Sequence, residues 1–289
     1  MGLVLSARPA KTKSASGNKD RDAAKDRGRN RVELYRDNDD YYRSQRAQLL
    51  SVEEITSALQ NNRLILYHQR IEPLRRELPA RAEILVRLQD EVGNIMMPGT
   101  FIPAAERFNL MPEIDRWVIR NALHKLGEGE QYQHCSYAIN LSGLSLSQEE
   151  LSSQVIKLLQ ETGVDPNKIC FEITETAAIA SLDKAKAFIH SMHAIGVKVA
   201  LDDFGAGLSS FAYLRELDAD YLKIDALFVR NLDRDKRDLA VVRSIMEVAR
   251  VHGMQTIAEF VHKPEITEIL TQTGVDYGQG FALHEPEPL

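Results

Sequence analysis

Cysteine is scarce in this chain of 289 residues, which contains only Cys135 and Cys170, and it has a single tryptophan. Two cysteines cannot build a disulfide framework or a cysteine-rich zinc site, so we expect both to be small buried apolar side chains. No stretch approaches the roughly 20 apolar residues of a membrane span, and the first residues lack the features of a cleaved signal peptide. These absences favour a cytoplasmic setting with no membrane contact from these residues.

Basic residues are few outside the start of the chain. The formal net charge is −6, yet residues 1–47 carry 12 Lys and Arg against 7 Asp and Glu, which leaves 24 basic and 35 acidic residues for the remainder. An acidic body argues against binding of DNA or RNA polymers, because that binding rests on neutralising phosphates with basic side chains. If the ligand is a phosphate ester, bound metal ions would offset the repulsion.

Composition divides the chain into three regions. Residues 1–20 are polar and rich in Lys, Ser and Gly, and we expect them to be a disordered leader or tag. Residues 21–50 are charged and mostly polar, which is typical of a linker. From 51 to 289, short apolar runs alternate with amphipathic helical stretches. This last region is predicted to be the folded domain.

The alternation predicts an α/β fold, a TIM-type (β/α)8 barrel. Helical periodicity is present in Glu113–Leu123, Ser181–Ile195 and Leu239–Ala249. Eight strands alternating with helices over about 240 residues have the size and order of that barrel. An open doubly wound sheet is the alternative. The predicted strands are Leu64–Gln69, Ala82–Leu88, Tyr137–Leu141, Ile169–Thr174, Val197–Asp202, Tyr221–Ile224, Gln255–Ala258 and Asp276–Gln279.

The connection between the first two strands is too short for a helical crossover. Only Arg70–Arg81 separates them, and this segment contains Pro73 and Pro79. Parallel strands need a crossover of a dozen or more residues, whereas antiparallel strands can be joined by a short turn. The first strand is therefore predicted to run antiparallel to the others.

Polar side chains occur near the carboxyl ends of the predicted strands, although buried parallel strands are usually almost entirely apolar. In a TIM barrel these ends converge on one face, where the chemistry takes place. Any single acid at such a position is more often a helix cap or part of a surface ion pair. Several carboxylates in one mouth, however, indicate hard divalent cations bound through oxygen. The side chains are those of Glu83, Asn140, Glu172, Asp202, Asp203, Lys223, Glu259 and Gln279.

A series of motifs follows the same order along the chain. Glu83-Ile-Leu-Val-Arg87 is similar to a Glu-x-Leu-x-Arg signature, with Ile84 in place of the usual Ala. The other segments are Pro98–Leu110, Asn140-Leu-Ser142, Glu172-Ile-Thr-Glu175, Leu201–Gly205, Leu222–Asp225, Ala258-Glu259 and Gln279-Gly280. From Leu64 to Pro288 the chain resembles the EAL domain, the cyclic di-GMP phosphodiesterase family.

The resemblance implies a role for each matching side chain. It assigns a first metal ion to Glu83, Asn140, Glu172 and Asp202, and a second to Asp202 and Asp203, with Glu259 facing both. Lys223 and Glu259 would be the catalytic residues. Glu175 would not touch substrate, but would anchor the loop Phe204–Ser210. The implied substrate-binding residues are Gln69, Glu83, Leu85, Arg87, Asn140, Asp225 and Gln279.

The implied reaction is metal-dependent hydrolysis of cyclic di-GMP to linear pGpG in bacterial second-messenger signalling, the signalling that governs biofilm formation and motility. Two Mg²⁺ or Mn²⁺ ions would serve as cofactors and Ca²⁺ would inhibit. The resemblance also implies a homodimer. The alternative is a catalytically weak EAL domain that acts as a cyclic di-GMP sensor, since some members have lost metal ligands. The implied ligand set is complete here, which favours the enzyme. A metal-dependent barrel enzyme of another family would require the order of the motifs to be coincidental.

Besides Ile84, the chain departs from the family pattern at three places. His262 stands where the family has an acid; either this replacement removes support for Lys223 or the metal ions, or His262 is merely a polar residue of the rim. Tyr67-His-Gln-Arg70 replaces the usual Tyr-x-Gln-Pro. The sequence after the last strand is short, so the closing helix of the barrel is expected to be short or absent.

The linker has a resemblance of its own. Residues 24–35 are similar to the end of a GGDEF (diguanylate cyclase) domain, which often precedes an EAL domain. This implies a C-terminal piece of a longer signalling protein, and that protein would reach the inner membrane, if at all, through domains that precede these residues.

Overall fold

The computed structural model describes residues 52–205 and 213–289. The predicted leader 1–20 and the linker 21–50, with its GGDEF-like segment, therefore lie outside the described residues. The compact unit that carries the barrel is Glu54–Leu289. Its strands are β1 (Leu64–Pro73), β2 (Arg81–Gln89), β3 (Ile95–Met96), β4 (Ser136–Leu141), β5 (Ile169–Thr174), β6 (Lys198–Phe204), β7 (Tyr221–Ile224), β8 (Gln255–Ala258), β9 (Tyr277–Gly278) and β10 (Glu287–Pro288).

Eight of these strands close into a barrel. The hydrogen-bonded order is β1-β9-β8-β7-β6-β5-β4-β2, and β1 also pairs with β2, which completes the ring. The pairs from β2–β4 round to β8–β9 are parallel, whereas β1 is antiparallel to both of its barrel neighbours. The prediction of a TIM-type barrel with an antiparallel first strand is confirmed. The two-residue strands β3 and β10 add to the edges of β2 and β1.

Helices cover the outside of the barrel because each has one apolar face. Helical residues 52–60 (α1) precede β1, and Ile55 and Ala58 of this helix are fully buried. The other helices are α2 (Pro98–Arg107), α3 (Met111–Glu128), α4 (Gly143–Leu146), α5 (Leu151–Thr162), α6 (Glu175–Ala180), α7 (Leu182–His193), α8 (Ala226–Val229), α9 (Lys236–Val251) and α10 (Pro264–Thr273). Single 3₁₀ turns occupy Glu130–His134, Pro166–Lys168 and Tyr213–Arg215. The predicted amphipathic stretches correspond to α3, α7 and α9.

The interior of the barrel has an apolar layer below its polar mouth. This layer consists of Ile71, Ala138, Cys170, Ala200, Tyr221, Ile257 and Tyr277. The buried Arg81 guanidinium lies 3.8 Å from the centre of the Tyr221 ring, so a cation packs against the aromatic face at this level. Because side chains alternate along a strand, the residue two positions further along faces the same interior one layer higher. Cys170 is thus followed by Glu172, and Tyr221 by Lys223.

One sequence-based expectation, that both cysteines are buried, needs adjustment. Cys170 is buried as predicted, but Cys135 is partly exposed. After β9 the described residues 279–289 form a turn and then β10, so no helix closes the barrel there. Across the part of the chain that the structure describes, no helix combines the length and apolar character that crossing a bilayer requires.

Candidate active site

The polar residues predicted at the strand ends meet in one mouth of the barrel. Glu83, Asn140, Glu172, Asp202 and Lys223 lie within their strands, and Glu259 and Gln279 follow β8 and β9 by one residue. Parallel strands place equivalent positions side by side, as the pairing of Asn140 with Glu172 shows. The carboxyl ends of β4–β9 therefore bring their side chains together, as a TIM barrel requires, and Glu83, the third residue of β2, joins them from the neighbouring strand.

Lys223 lies at the centre of this cluster. Its ammonium is 2.6 Å from Glu172 Oε2, 2.9 Å from Glu259 Oε1, 3.2 Å from Asp202 Oδ1 and 3.7 Å from Glu83 Oε2. The Lys223 side chain is 1% exposed. One buried cation thus faces four carboxylates, so the cluster retains an excess of negative charge that favours further cations.

The pKa values of the cluster reflect burial first and charge second. Burial raises the pKa of Glu172 well above its ordinary value, although Lys223 opposes the shift. Burial likewise raises the pKa of Glu259 to about 7. Burial alone would lower the pKa of Lys223, but the surrounding carboxylates, led by Asp202 and Glu172, outweigh it and the pKa is raised well above the ordinary value. Lys223 therefore keeps its proton and acts as a fixed cation.

A bulge in β6 brings two consecutive carboxylates to the same place. In a regular strand Asp202 and Asp203 would point to opposite faces. Here the register shifts between Leu201 and Phe204, and Asp203 has a φ of +54°, which is uncommon for a residue other than glycine. As a result, carboxylate oxygens of Asp202, Asp203 and Glu259 lie within 4.8 Å of one another. Backbone strain of this kind is typical of functional sites.

Glu83 is held by amide side chains on both of its oxygens. Asn140 Nδ2 donates to Glu83 Oε1 at 2.5 Å, and Gln279 Nε2 donates to Glu83 Oε2 at 2.7 Å. Gln279 Nε2 also lies 3.1 Å from Gln69 Oε1, and Gln69 Nε2 donates to the carbonyl of His284 at 2.8 Å. Gln69 and Gln279, both assigned to substrate from the sequence, therefore belong to one hydrogen-bonded chain with Glu83.

Glu175 connects the two described ends of the segment after β6. Its Oε2 accepts the backbone N–H of Gly205 at 2.9 Å, and its Oε1 accepts the hydroxyl of Tyr213 at 2.5 Å. Glu175 is 2% exposed and begins α6, where Thr174 caps the helix. Residues 206–212 between these two contacts are outside the described part of the chain, so the anchoring of their conformation stays a prediction.

The remaining predicted substrate residues surround the cluster. Arg87 is 4% exposed, donates to the Val86 carbonyl at 2.9 Å and lies 5.3 Å from the centre of the Tyr67 ring. Asp225 caps α8 by accepting the N–H of Leu227 at 2.6 Å. Leu85 is half-buried between Glu83 and Arg87 along β2.

Three residues near the site were not identified from the sequence. Tyr213 is the hydroxyl donor to Glu175, and His284 supplies the carbonyl that Gln69 meets. Asp115 of α3 is 5% exposed, accepts the Ser145 hydroxyl at 2.6 Å and accepts the Ser142 N–H at 3.0 Å, two residues after Asn140. An acid within an amphipathic helix gives no local signal of such a role. The structure shows one contact of His262, which lies within its own segment: the ring nitrogen Nδ1 is 3.2 Å from the Phe260 carbonyl oxygen.

Comparison with known families matches the EAL domain to residues 52–286, which is most of the chain. The chain belongs to the EAL domain family. Among curated relatives, cyclic di-GMP phosphodiesterase PdeB of Shewanella oneidensis is 43% identical over 270 residues, which cover 92% of this chain and 31% of that protein. Cyclic di-GMP phosphodiesterase PdeF of Escherichia coli is 34% identical over 236 residues, covering 81% and 31%. This EAL chain thus spans about a third of the length of these relatives.

Solved EAL structures share the fold. The PaMucR phosphodiesterase in complex with c-di-GMP superposes with a TM-score of 0.76 at 30% identity, covering 83% of this chain and 98% of that one. The FimX EAL domain from Pseudomonas aeruginosa, bound to c-di-GMP, gives a TM-score of 0.76 at 27% identity and covers 82% and 96%. The barrel is therefore the fold of the family.

The donor set of this EAL domain fits divalent cations. All the candidate ligands offer oxygen, which is the donor that hard cations such as Mg²⁺ and Mn²⁺ prefer. Glu172 Oε1 is buried and has no hydrogen-bond partner among the described residues. Since a buried polar atom is normally partnered, this oxygen is available for a cation. The cluster of Asp202, Asp203 and Glu259 provides further carboxylates at one point.

Proposed function

We propose that this EAL domain hydrolyses cyclic di-GMP to linear pGpG with two divalent metal ions, Mg²⁺ or Mn²⁺. The observation that carries the proposal is the cluster of four carboxylates round Lys223 together with the bulge that adds Asp203. The names of the relatives supply the substrate, because several are cyclic di-GMP phosphodiesterases.

The ligands divide into two groups round Asp202. We assign Glu83, Asn140, Glu172 and Asp202 to one ion, and Asp202 with Asp203 to the other, with Glu259 facing both. When bound, such ions polarise a phosphoryl oxygen and lower the pKa of water. The acidic cluster would otherwise repel a phosphate diester, so cations are also needed for the substrate to enter.

The other side chains bind and orient the dinucleotide. Arg87 offers a guanidinium to a phosphate, while Gln69, Gln279, Leu85 and Asp225 contact the remainder of the substrate. Glu83 and Asn140 contact it at the metal site as well. The buried Lys223 ammonium would stabilise negative charge that develops on the phosphate, and Glu259, 2.9 Å from that ammonium, is the carboxylate available to accept a proton. Water would add at phosphorus and give a proton to Glu259, and the bond to the 3′ oxygen would break as that oxygen takes up a proton. The product pGpG then carries the new 5′-phosphate.

A complete ligand set favours the enzyme over a sensor. The side chains that we assign as metal ligands lie in the mouth, and Glu175 contacts Gly205 and Tyr213 on either side of residues 206–212. A sensor would bind the dinucleotide with no need for a buried ammonium among the carboxylates. We further propose a cytoplasmic location and a homodimer formed through the face near residues 202–210, which sedimentation at increasing protein concentration would test.

The deciding experiment incubates purified protein with cyclic di-GMP and separates the products by chromatography. Mg²⁺ or Mn²⁺ should give pGpG, excess chelator should abolish it, and Ca²⁺ should permit binding without turnover. The matched variant is Glu172→Gln, which keeps the size of the side chain and removes its charge. Tight binding of cyclic di-GMP by the wild-type protein without any product would support the sensor instead.

A further inference from the structure

The segment His284–Leu289 is attached to the outer side of β1, next to the mouth. Its strand β10 pairs with β1 through Tyr67 with Pro288 and His68 with Glu287. The N–H of Leu289 donates to the Leu66 carbonyl at 3.0 Å, and the Leu289 side chain is 7% exposed. Backbone pairing and apolar burial therefore hold residues 287–289, the end of this segment, against β1.

Two histidines and a glutamate nevertheless form a clamp, which we define as His68, His284 and Glu287. Glu287 Oε1 lies 3.3 Å from His68 Nε2 and 3.4 Å from His284 Nε2, and the two rings stack with centroids 6.1 Å apart. His284 Nδ1 accepts the backbone N–H of Arg70 at 3.3 Å. Since a neutral imidazole has one donor and one acceptor, this contact places the proton of His284 on Nε2, facing Glu287.

The clamp includes His284, and the backbone carbonyl of His284 accepts the first hydrogen bond in a chain of side-chain amides in the site. The carbonyl of His284 can only accept, so Gln69 must direct its NH₂ group towards it, as the 2.8 Å contact shows. Gln69 Oε1 is then turned towards Gln279, which must in turn present its NH₂ group to both Gln69 and Glu83. The orientation of the His284 carbonyl thus determines the side-chain amide orientations of Gln69 and Gln279.

The last member of this chain leaves an acceptor in the site. Gln279 Oε1 is buried and has no hydrogen-bond partner among the described residues, and Gln279 is 5% exposed. Reversal of the Gln69 amide would place its NH₂ group opposite the NH₂ group of Gln279 and its oxygen opposite the His284 carbonyl oxygen. Both contacts are unfavourable between buried groups. The amides therefore switch together or not at all.

We propose that Glu287, through the clamp, is a positioning residue for substrate binding in this EAL domain. It holds the His284 carbonyl, which orients Gln69 and Gln279 and so directs Gln279 Oε1 into the mouth as an acceptor for an N–H group of the guanine-containing substrate. The proposal rests on the proposed function for its substrate. The orientation of the two amides is a property of the protein alone and does not depend on the proposed function.

The test compares Glu287→Ala with Glu285→Ala, which removes the same charge from an exposed position two residues away in the same segment. Glu287→Ala should raise KM for cyclic di-GMP by about fivefold to tenfold and leave kcat within about twofold, because the carboxylate that lies 3.3–3.4 Å from both imidazoles is lost. Glu285→Ala should leave both constants at the wild-type values. Glu287→Gln keeps an acceptor oxygen for the imidazole N–H and should restore KM.

A second readout does not depend on hydrolysis. In protein labelled with ¹⁵N-glutamine, Glu287→Ala should shift the side-chain amide signals of Gln69 and Gln279, whereas Glu285→Ala should leave them in place. Equal KM values and unchanged amide signals in the two alanine variants would overturn the proposal. An inactive wild-type protein would refute the proposed function, and the spectra would still decide whether Glu287 controls the amides.

Discussion

Replacement of Lys223 by methionine tests whether this lysine is the internal counter-ion of the site. Methionine has a similar length without the charge, so Glu172, Glu83, Asp202 and Glu259 would lose the ammonium that lies 2.6–3.7 Å from them. Removing one partner of a buried ion pair costs about 3–5 kcal/mol. In a domain of this size that corresponds to a fall in Tm of roughly 10 °C.

The assay is thermal unfolding in chelator and again in Mn²⁺. In chelator Lys223→Met should unfold at the lower temperature, and Mn²⁺ should raise its Tm by more than it raises that of the wild type, because bound cations replace the missing positive charge. The matched control is Lys186→Met, which removes an exposed lysine paired with Glu216 at 2.9 Å and should leave Tm unchanged. Equal Tm values for Lys223→Met and wild type in chelator would refute the counter-ion reasoning.

Three further outcomes are expected. Lys223→Ala should reduce kcat by about a hundredfold or more while the Kd for cyclic di-GMP stays within about tenfold, since its charge acts mainly on the transition state; a parallel loss of affinity in a binding titration would contradict this. Glu175→Ala should lower kcat by about tenfold or more, because it removes the contacts with both Gly205 and Tyr213, and Tyr213→Phe should lower it by less, because it removes only the second; a normal kcat with only a lower Tm would make Glu175 a helix-start acid. Asp115→Ala should destabilise the fold by about 1–3 kcal/mol in urea unfolding, because it leaves two donors that follow Asn140 unpaired; an unchanged unfolding midpoint would show that water replaces the carboxylate.

The sequence was sufficient to predict those features that depend on the residues of a single strand or connection. The runs round Glu172 and Lys223 are apolar on both sides of a single charge, so a buried strand with a functional side chain could be predicted there. The short, proline-containing connection after Arg70 was sufficient to predict the antiparallel β1. The order of the motifs then indicated which strand ends meet.

Features that depend on several strands at once were not predictable. Nothing in Leu201-Asp-Asp-Phe204 reveals a bulge, because the bulge is defined by the register of β6 against β7, where Asp203 takes a left-handed conformation. The strand β10 was missed because it has only two residues, one of which is Pro288, and Pro cannot donate to a ladder. His262 was left open between two roles because the direction of a side chain after a strand end depends on the local backbone, and here Phe260 has a φ of +56°.

The antiparallel direction of β1 has a mechanical consequence. The seven other strands of the barrel run towards the mouth, whereas β1 starts there, since Leu64 pairs with Leu88 near the end of β2. The polypeptide therefore enters the barrel at the catalytic end, through helical residues 52–60, and not at the apolar floor. A pull on the preceding chain would load β1 in shear along its ladder with β2. Gln69 and Glu83 are paired in that ladder, so such a load would act directly on the amides and carboxylates of the site.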